Sequence, residues 1–160
     1  MPSQKRSAEA AADLRNHILT LDPAKVGIEE YVGSNSVWGT VMETTFPEAT
    51  VTLVALADGS ASLYFSSGGG VIGGSGHESV RNAARHMSLV ADRFVSQCRS
   101  ATDFPYPRMG DTSFYLLTRS GKVTMNAHES DLGEQRHSFS PLFNAGQEVI
   151  HLLMQISEKK

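Results

Sequence analysis

Residues Thr50–Phe65 read "TVTLVALADGSASLYF", two β-prone runs on either side of Asp58-Gly59. Asp-Gly in that setting favours a tight turn, because the central residues of the preferred hairpin turns take positive φ. The run Val51–Ala57 is apolar at nearly every position, which predicts a central strand covered on both faces. Upstream, "VWGTVMETTF" from Val37 and the breaker "PEA" add one more strand and turn. Three antiparallel strands in a meander follow from this stretch alone.

Helical periods flank the meander. In "SAEAAADLRNHILTLDP" a helix is predicted with Ser7 as its N-cap and Ala11, Leu14, Ile18 and Leu21 on one stripe, Leu14 and Ile18 touching the core. Asp22-Pro23 should stop it. The strongest helical signal is Val80, Ala84, Met87, Ala91, Phe94 and Cys98, spaced by four and three, with Ala83, Val90 and Val95 widening the stripe. Ser75 and Glu78 have the spacing of a capping box at its start.

Beyond it, "SATDFPYPRMGD" (Ser100–Asp111) has two prolines and no period, so it reads as loop. "SFYLLT", a turn at Ser120-Gly121 and "KVTMNAH" predict a second hairpin, with Val123, Met125 and Ala127 pointing inward. "ESDLGEQRHSFS" reads as a polar loop. Ser140 then caps a last helix with Pro141 in its first turn and a stripe of Leu142, Val149, Leu153 and Ile156. The predicted order is α-β-β-β-α-β-β-α: an α+β fold with a mainly antiparallel five-stranded sheet, three main helices, and helices segregated from the sheet.

Bulk composition bounds the function. With 160 residues, 40% of them hydrophobic and 19% charged, the chain can build one core, so a single α+β domain over residues 1–160 is expected, with flexible ends. A net charge of −3 argues against nucleic acid held by bulk electrostatics. The single cysteine, Cys98, rules out an internal disulfide and permits a reducing compartment. The N-terminal run has no apolar core of a secretory signal, and no uncharged apolar stretch approaches the length of a membrane span. A cytoplasmic protein without membrane partners is the expectation.

"SSGGGVIGGSGHESV", Ser66–Val80, holds six glycines in fifteen residues and lies between a strand and a helix. Gly68, Gly70 and Gly73 satisfy G-x-G-x-x-G, whose glycines let backbone N–H groups approach a phosphate at a helix N-terminus. The meander before it is not a βαβ unit, and no G-K-[ST] occurs, so neither a dinucleotide fold nor a Walker loop is supported. Glu78 also puts a carboxylate where a phosphate would sit. The functional alternative is a small anion bound by Ser67, Gly68, Gly69, Gly70, Gly73 and Gly74, at the Gly68–Gly76 loop, assisted by Arg81 or Arg85. The plainer reading is glycine serving backbone packing where the chain leaves the sheet. A nucleophile elbow fails because His77 stands where G-x-S-x-G needs its last glycine.

Three other groups of residues carry chemistry. His128, Asp131 and His137, in "HESDLGEQRH", are the weak metal candidates, and their spacing matches neither H-E-x-x-H nor a calcium loop. Cys98 ends an apolar stripe and reads as a buried thiol. Phe104, Tyr106, Arg108 and Met109 combine aromatic, Arg and Met side chains on one loop, the residue types of interface hot spots.

"TVTLVALADGSASLYFSSGGGVIGG" resembles a run in a family of small uncharacterised bacterial proteins, over about Thr50–Arg85, and the resemblance implies no activity. No acid–base pair, activated nucleophile, metal set or cofactor motif emerges. The expectation is a non-catalytic binding domain that recognises a protein partner or itself, as a homodimer, through a sheet face or edge and the Phe104–Met109 loop. The alternative is a small-anion site at the glycine-rich loop.

Overall fold

A computed structural model describes residues 2–21, 37–72 and 76–158. The chain is α+β: one antiparallel sheet with helices packed on it. The elements are α1 (Pro2–Thr20), β1 (Val37–Thr45), β2 (Thr50–Leu56), β3 (Ala61–Phe65), β4 (Gly70–Val71), α2 (Glu78–Asp92), β5 (Arg99–Ser100), β6 (Asp111–Thr118), β7 (Gly121–His128), α3 (Glu129–Gly133) and α4 (Ser140–Glu158). The sheet has seven strands, not the five expected, in the order β4-β3-β2-β1-β6-β7-β5. The two extra strands, β4 and β5, have two residues each, too few for a period-2 pattern to show in sequence. They close the two edges of the sheet, where short strands limit unwanted pairing. The expected polar loop after β7 contains the short helix α3.

The meander forms as its turn chemistry predicts, with one difference in detail. Ala55 pairs with Ala61, and only Gly59 takes positive φ, at +95°. The Asp58 side chain accepts a bond from the Ser60 N–H at 2.8 Å, so one left-handed glycine and an Asx turn replace two left-handed residues. In the second hairpin Thr118 pairs with Gly121, which places the turn at Arg119-Ser120, one residue earlier than predicted.

Strand alternation divides the core in two. Met42, Leu53, Leu63, Phe114 and Leu116 face one side and pack with Val80, Ala84 and Met87 of α2 and Leu142, Val149 and Leu153 of α4. Trp38, Val41, Val54, Tyr115 and Leu117 face the other and pack with Leu19 of α1. Helices therefore cover both faces of the sheet. That is why β2 is apolar on both sides.

Helix boundaries shift where tertiary contacts outweigh local signals. In α1 the helix already runs from Pro2, so Ser7 lies inside it. Its buried face is Ala11, Arg15 and Leu19, while Leu14 is 40% exposed; a stripe read only from apolar residues misses an arginine on the buried side. α2 starts after His77, which takes the capping position without a side-chain bond, and it ends at Asp92. Phe94 follows in a turn, and Arg99 belongs to β5, not to a helix end. The Ser140 hydroxyl donates to the Leu132 carbonyl at 2.9 Å, so it closes the C-terminal end of α3 instead of capping α4. Asp22-Pro23, Gly73, Gly74 and Ser75 lie outside the described residues.

Candidate functional site

On the α1 side of the sheet, the helix and the meander are in contact, but β6 and β7 present a polar surface. Cross-strand register sets it out in rungs: Asp111 opposite His128, Ser113 opposite Asn126, and Tyr115 opposite Thr124. These residues alternate with the inward-facing Phe114, Leu116 and Ala127, so pleating puts all six on one face. Asn126 Nδ2 donates to Ser113 Oγ at 2.8 Å, and His128 Nδ1 pairs with Asp111 Oδ1 at 2.8 Å.

The segment from Arg99 to Arg108 rises over this surface and encloses a cleft of about 560 Å³. It is a loop without period, yet it is fastened at several points. Tyr115 OH donates to the Pro105 carbonyl at 2.7 Å. Thr45 Oγ1 donates to the Pro107 carbonyl at 2.8 Å, and the Gly110 N–H donates to the Thr45 carbonyl at 2.9 Å. The third side-chain anchor comes from α1: Arg15 Nη2 donates to the Phe104 carbonyl at 2.7 Å.

Arg15 is itself held in an ion pair taken out of water. Its Nε and Nη2 bond both oxygens of Glu43, and these side chains are 5% and 0% exposed. Thr52 Oγ1 donates a further bond to Glu43 at 2.7 Å, so the carboxylate has three donors. Burial works against the Arg15 charge, but its bond to Glu43 and the carboxylate's field more than offset it, holding the guanidinium above its usual pKa. The same guanidinium lies 4.1 Å from the Tyr106 ring centre in a cation–π contact. Burial also pushes the Tyr115 phenol up to about 12, with Glu43 adding to the shift, so it stays a hydrogen-bond donor. Phe104 packs edge-on against Tyr115, centroids 5.5 Å apart.

Of the predicted interaction loop, Phe104 is thus half-buried and structural, whereas Tyr106, Arg108 and Met109 are exposed. Met109 is 67% exposed, and Phe46, at 43%, stands beside it because Thr45 bridges to Met109. Sequence reasoning missed the pair of Arg15 and Glu43, which lie 28 residues apart. The available signals were a lone Arg between the apolar Ala11 and Leu19 of α1 and the one charged residue of β1.

The glycine-rich stretch resolves into separate parts. Gly68 and Gly69 take φ of +115° and +84° and close the β3–β4 hairpin, the Gly68 N–H donating to the Phe65 carbonyl at 2.9 Å. At Gly70 an added Cβ would lie 2.2 Å from the Leu63 carbonyl oxygen, so glycine is required by close pairing. Ser67 lies in the same turn. Arg81 packs its stem under Gly59, and Arg85 Nη2 reaches the Asp58 carbonyl at 3.4 Å. That turn is at the Ala61 end of β3, while Gly68-Gly69 are beyond its Phe65 end, about 16 Å away along the strand. The described contacts do not bring the two arginines to those glycines.

The metal candidates are also separate. His128 pairs with Asp111, Asp131 pairs with Arg136 at 3.0 Å, and His137 Nδ1 accepts from the Phe139 N–H at 3.0 Å. Among the described residues no three His, Cys, Asp or Glu side chains are grouped to hold a metal ion. No helix among them is long and apolar enough to cross a membrane. Cys98 is half-buried, its thiol donating to the Phe94 carbonyl at 3.4 Å, and burial pushes its pKa up to about 11. The chain matches no protein-family model, no curated protein and no solved structure.

Proposed function

We propose that the protein is a non-catalytic interaction domain that meets a protein partner, first of all a second copy of itself, through the outer surface of the 101–109 loop. The observation that carries this reading is the anchoring. The carbonyls of Phe104, Pro105 and Pro107 each accept a side-chain hydrogen bond from a different element, α1, β6 and β1. An exposed loop ordered in advance loses less conformational entropy when it binds. It also carries Met109 outward beside Phe46, while the exposed Tyr106 and Arg108 also line the cleft beneath it, and aromatic, Arg and Met side chains are enriched at interfaces. The small-anion reading at Gly68–Gly76 has less behind it, because its described glycines close a hairpin and its arginines serve another turn.

Sedimentation velocity across a wide range of concentrations tests the proposal. The parent should sediment faster as concentration rises, and Met109→Asp should remain monomeric with an unchanged Tm. A parent that stays monomeric throughout, or a Met109→Asp variant that associates as tightly as the parent, would overturn self-association through this surface.

A further inference from the structure

Beneath the loop, the cleft is built for a ligand of another kind than the apolar outer surface would meet. The formal charges of its lining cancel, with Arg99 and Arg108 set against Asp103 and Asp111. These charges do not pair off across the cleft. Among the described residues, Arg99, Arg108 and Asp103 make no side-chain hydrogen bond or ion pair, and Asp111 pairs with His128.

Each end of the segment carries one residue of each charge. Arg99 and Asp103 stand where the segment leaves β5, and Arg108 and Asp111 stand where it returns, joined by a backbone bond from the Asp111 N–H to the Arg108 carbonyl. Arg99 lies opposite Thr124 and Asp111 opposite His128, four positions along β7, so the two ends are about 13 Å apart. Tyr115 and Thr124 share the Arg99 end, and one neutral rung, Ser113 with Asn126, lies between the two ends.

A phosphate or dicarboxylate placed here meets an aspartate at either end, and a polyamine meets an arginine. Groups that donate and accept at once meet neither penalty. A hydroxyl can accept from a guanidinium fork and donate to a carboxylate, and both bonds are charge-assisted. Adjacent hydroxyls on one ring would do so at each end, with hydroxyl and amide side chains serving the middle. The exposed Tyr106 ring lines the same cleft, an amphipathic surface for the C–H face of a sugar. The volume falls in the range of ordinary small-ligand sites.

We infer that the cleft under the Arg99–Arg108 segment binds a neutral, polyhydroxylated ligand, a short oligosaccharide lying along β6 and β7. This goes beyond the proposed interaction surface, with which the cleft shares Tyr106 and Arg108 but not Met109 or Phe46.

The test is amide ¹H–¹⁵N correlation spectroscopy with a panel of neutral gluco-, galacto- and manno-configured trisaccharides, alongside pyrophosphate and a zwitterionic dipeptide. A trisaccharide should move the amides of Ser113, Thr124 and Asn126, with an affinity that does not fall as salt is added. Asn126→Ala and Asp103→Asn, both at exposed positions, should keep the parent's Tm and each weaken binding about tenfold, the loss of one good hydrogen bond. If only pyrophosphate or the dipeptide moves those amides, the cleft is a charged-ligand site and the inference is overturned. It is overturned equally if no saccharide in the panel moves them, or if saccharide shifts fall only around Phe46 and Met109. None of these outcomes bears on whether Met109→Asp abolishes self-association.

Discussion

Replacing Arg15 with Met keeps most of the side-chain volume and removes the charge. It leaves the Glu43 carboxylate, fully buried, with Thr52 as its remaining side-chain donor. Removing one partner from a buried ion pair costs roughly 3–5 kcal/mol, because the other charge stays out of water uncompensated. The Phe104 carbonyl loses its donor as well, which adds about 1 kcal/mol. The sum, about 4–6 kcal/mol, is a large part of the 5–15 kcal/mol by which a domain is typically stable. At about 2–4 °C per kcal/mol for a chain of this size, Tm should fall by something on the order of 8–24 °C. The double variant Arg15→Met with Glu43→Leu removes both charges and should recover most of the loss. What remains is the unpaired Thr52 hydroxyl and Phe104 carbonyl, together about 1–3 kcal/mol. Urea unfolding of parent, both single variants and the double variant closes the cycle. If Arg15→Met costs less than about 1 kcal/mol, or the double variant costs the sum of the singles, the pair is not the buried unit described here.

Two further outcomes follow from particular atoms. Gly70→Ala should cost about 1–3 kcal/mol and abolish hydrogen-exchange protection at Val71, since its Cβ would collide with the Leu63 carbonyl. Gly69→Ala, with open space around it but φ of +84°, should cost roughly 1–2 kcal/mol while keeping that protection; a Val71 still protected in Gly70→Ala would refute the β3–β4 register. For Cys98, the folded protein holds the thiol proton more tightly than the unfolded chain, with burial raising its pKa from 9.0 to about 11. The resulting contribution to stability is whole below about pH 9 and is lost as the pH rises towards 11. Thiolate absorbance should therefore titrate near pH 11 in the folded state, and alkylation at pH 8 should be slower than in the urea-unfolded chain. A midpoint at or below 9 refutes the burial account.

What could be read from sequence was what local chemistry determines. Asp58-Gly59, the two-sided apolar β2 and the α2 stripe from Val80 to Ala91 all act over short distances, and each is in place. The departures come from interactions across the chain. Arg15 is buried because Glu43 lies opposite it, and nothing near Arg15 in sequence announces that partner. Leu14, one position earlier, is rotated outward for the same reason. β4 and β5 exist because neighbouring strands offer them an edge, with too few residues to show a period of their own. The cleft was legible only in part. Its loop and the exposed Tyr106, Arg108 and Met109 stood out by composition, but the floor depends on the pairing of β6 with β7, and the anchors on Thr45, Tyr115 and Arg15. The sequence showed Ser113 and Asn126 only as polar alternates in a strand.

The central position of β1 bears on how the sheet assembles. On one side β1 pairs with β2, its neighbour in the chain, the Thr45 and Thr50 hydroxyls being five residues apart. On the other it pairs with β6, and the contact between the Thr44 and Thr112 hydroxyls spans 68 residues. Closing the longer loop costs roughly 2 kcal/mol more in chain entropy. The β1–β4 meander and the β6–β7 hairpin are each joined by short turns, whereas the joint between β1 and β6 brings together residues far apart in the chain, the kind of contact that slows folding. Glu43 and Tyr115 lie on the two strands of that joint, so the seam with the larger loop-closure cost is also the one that draws the 101–109 loop down onto the sheet.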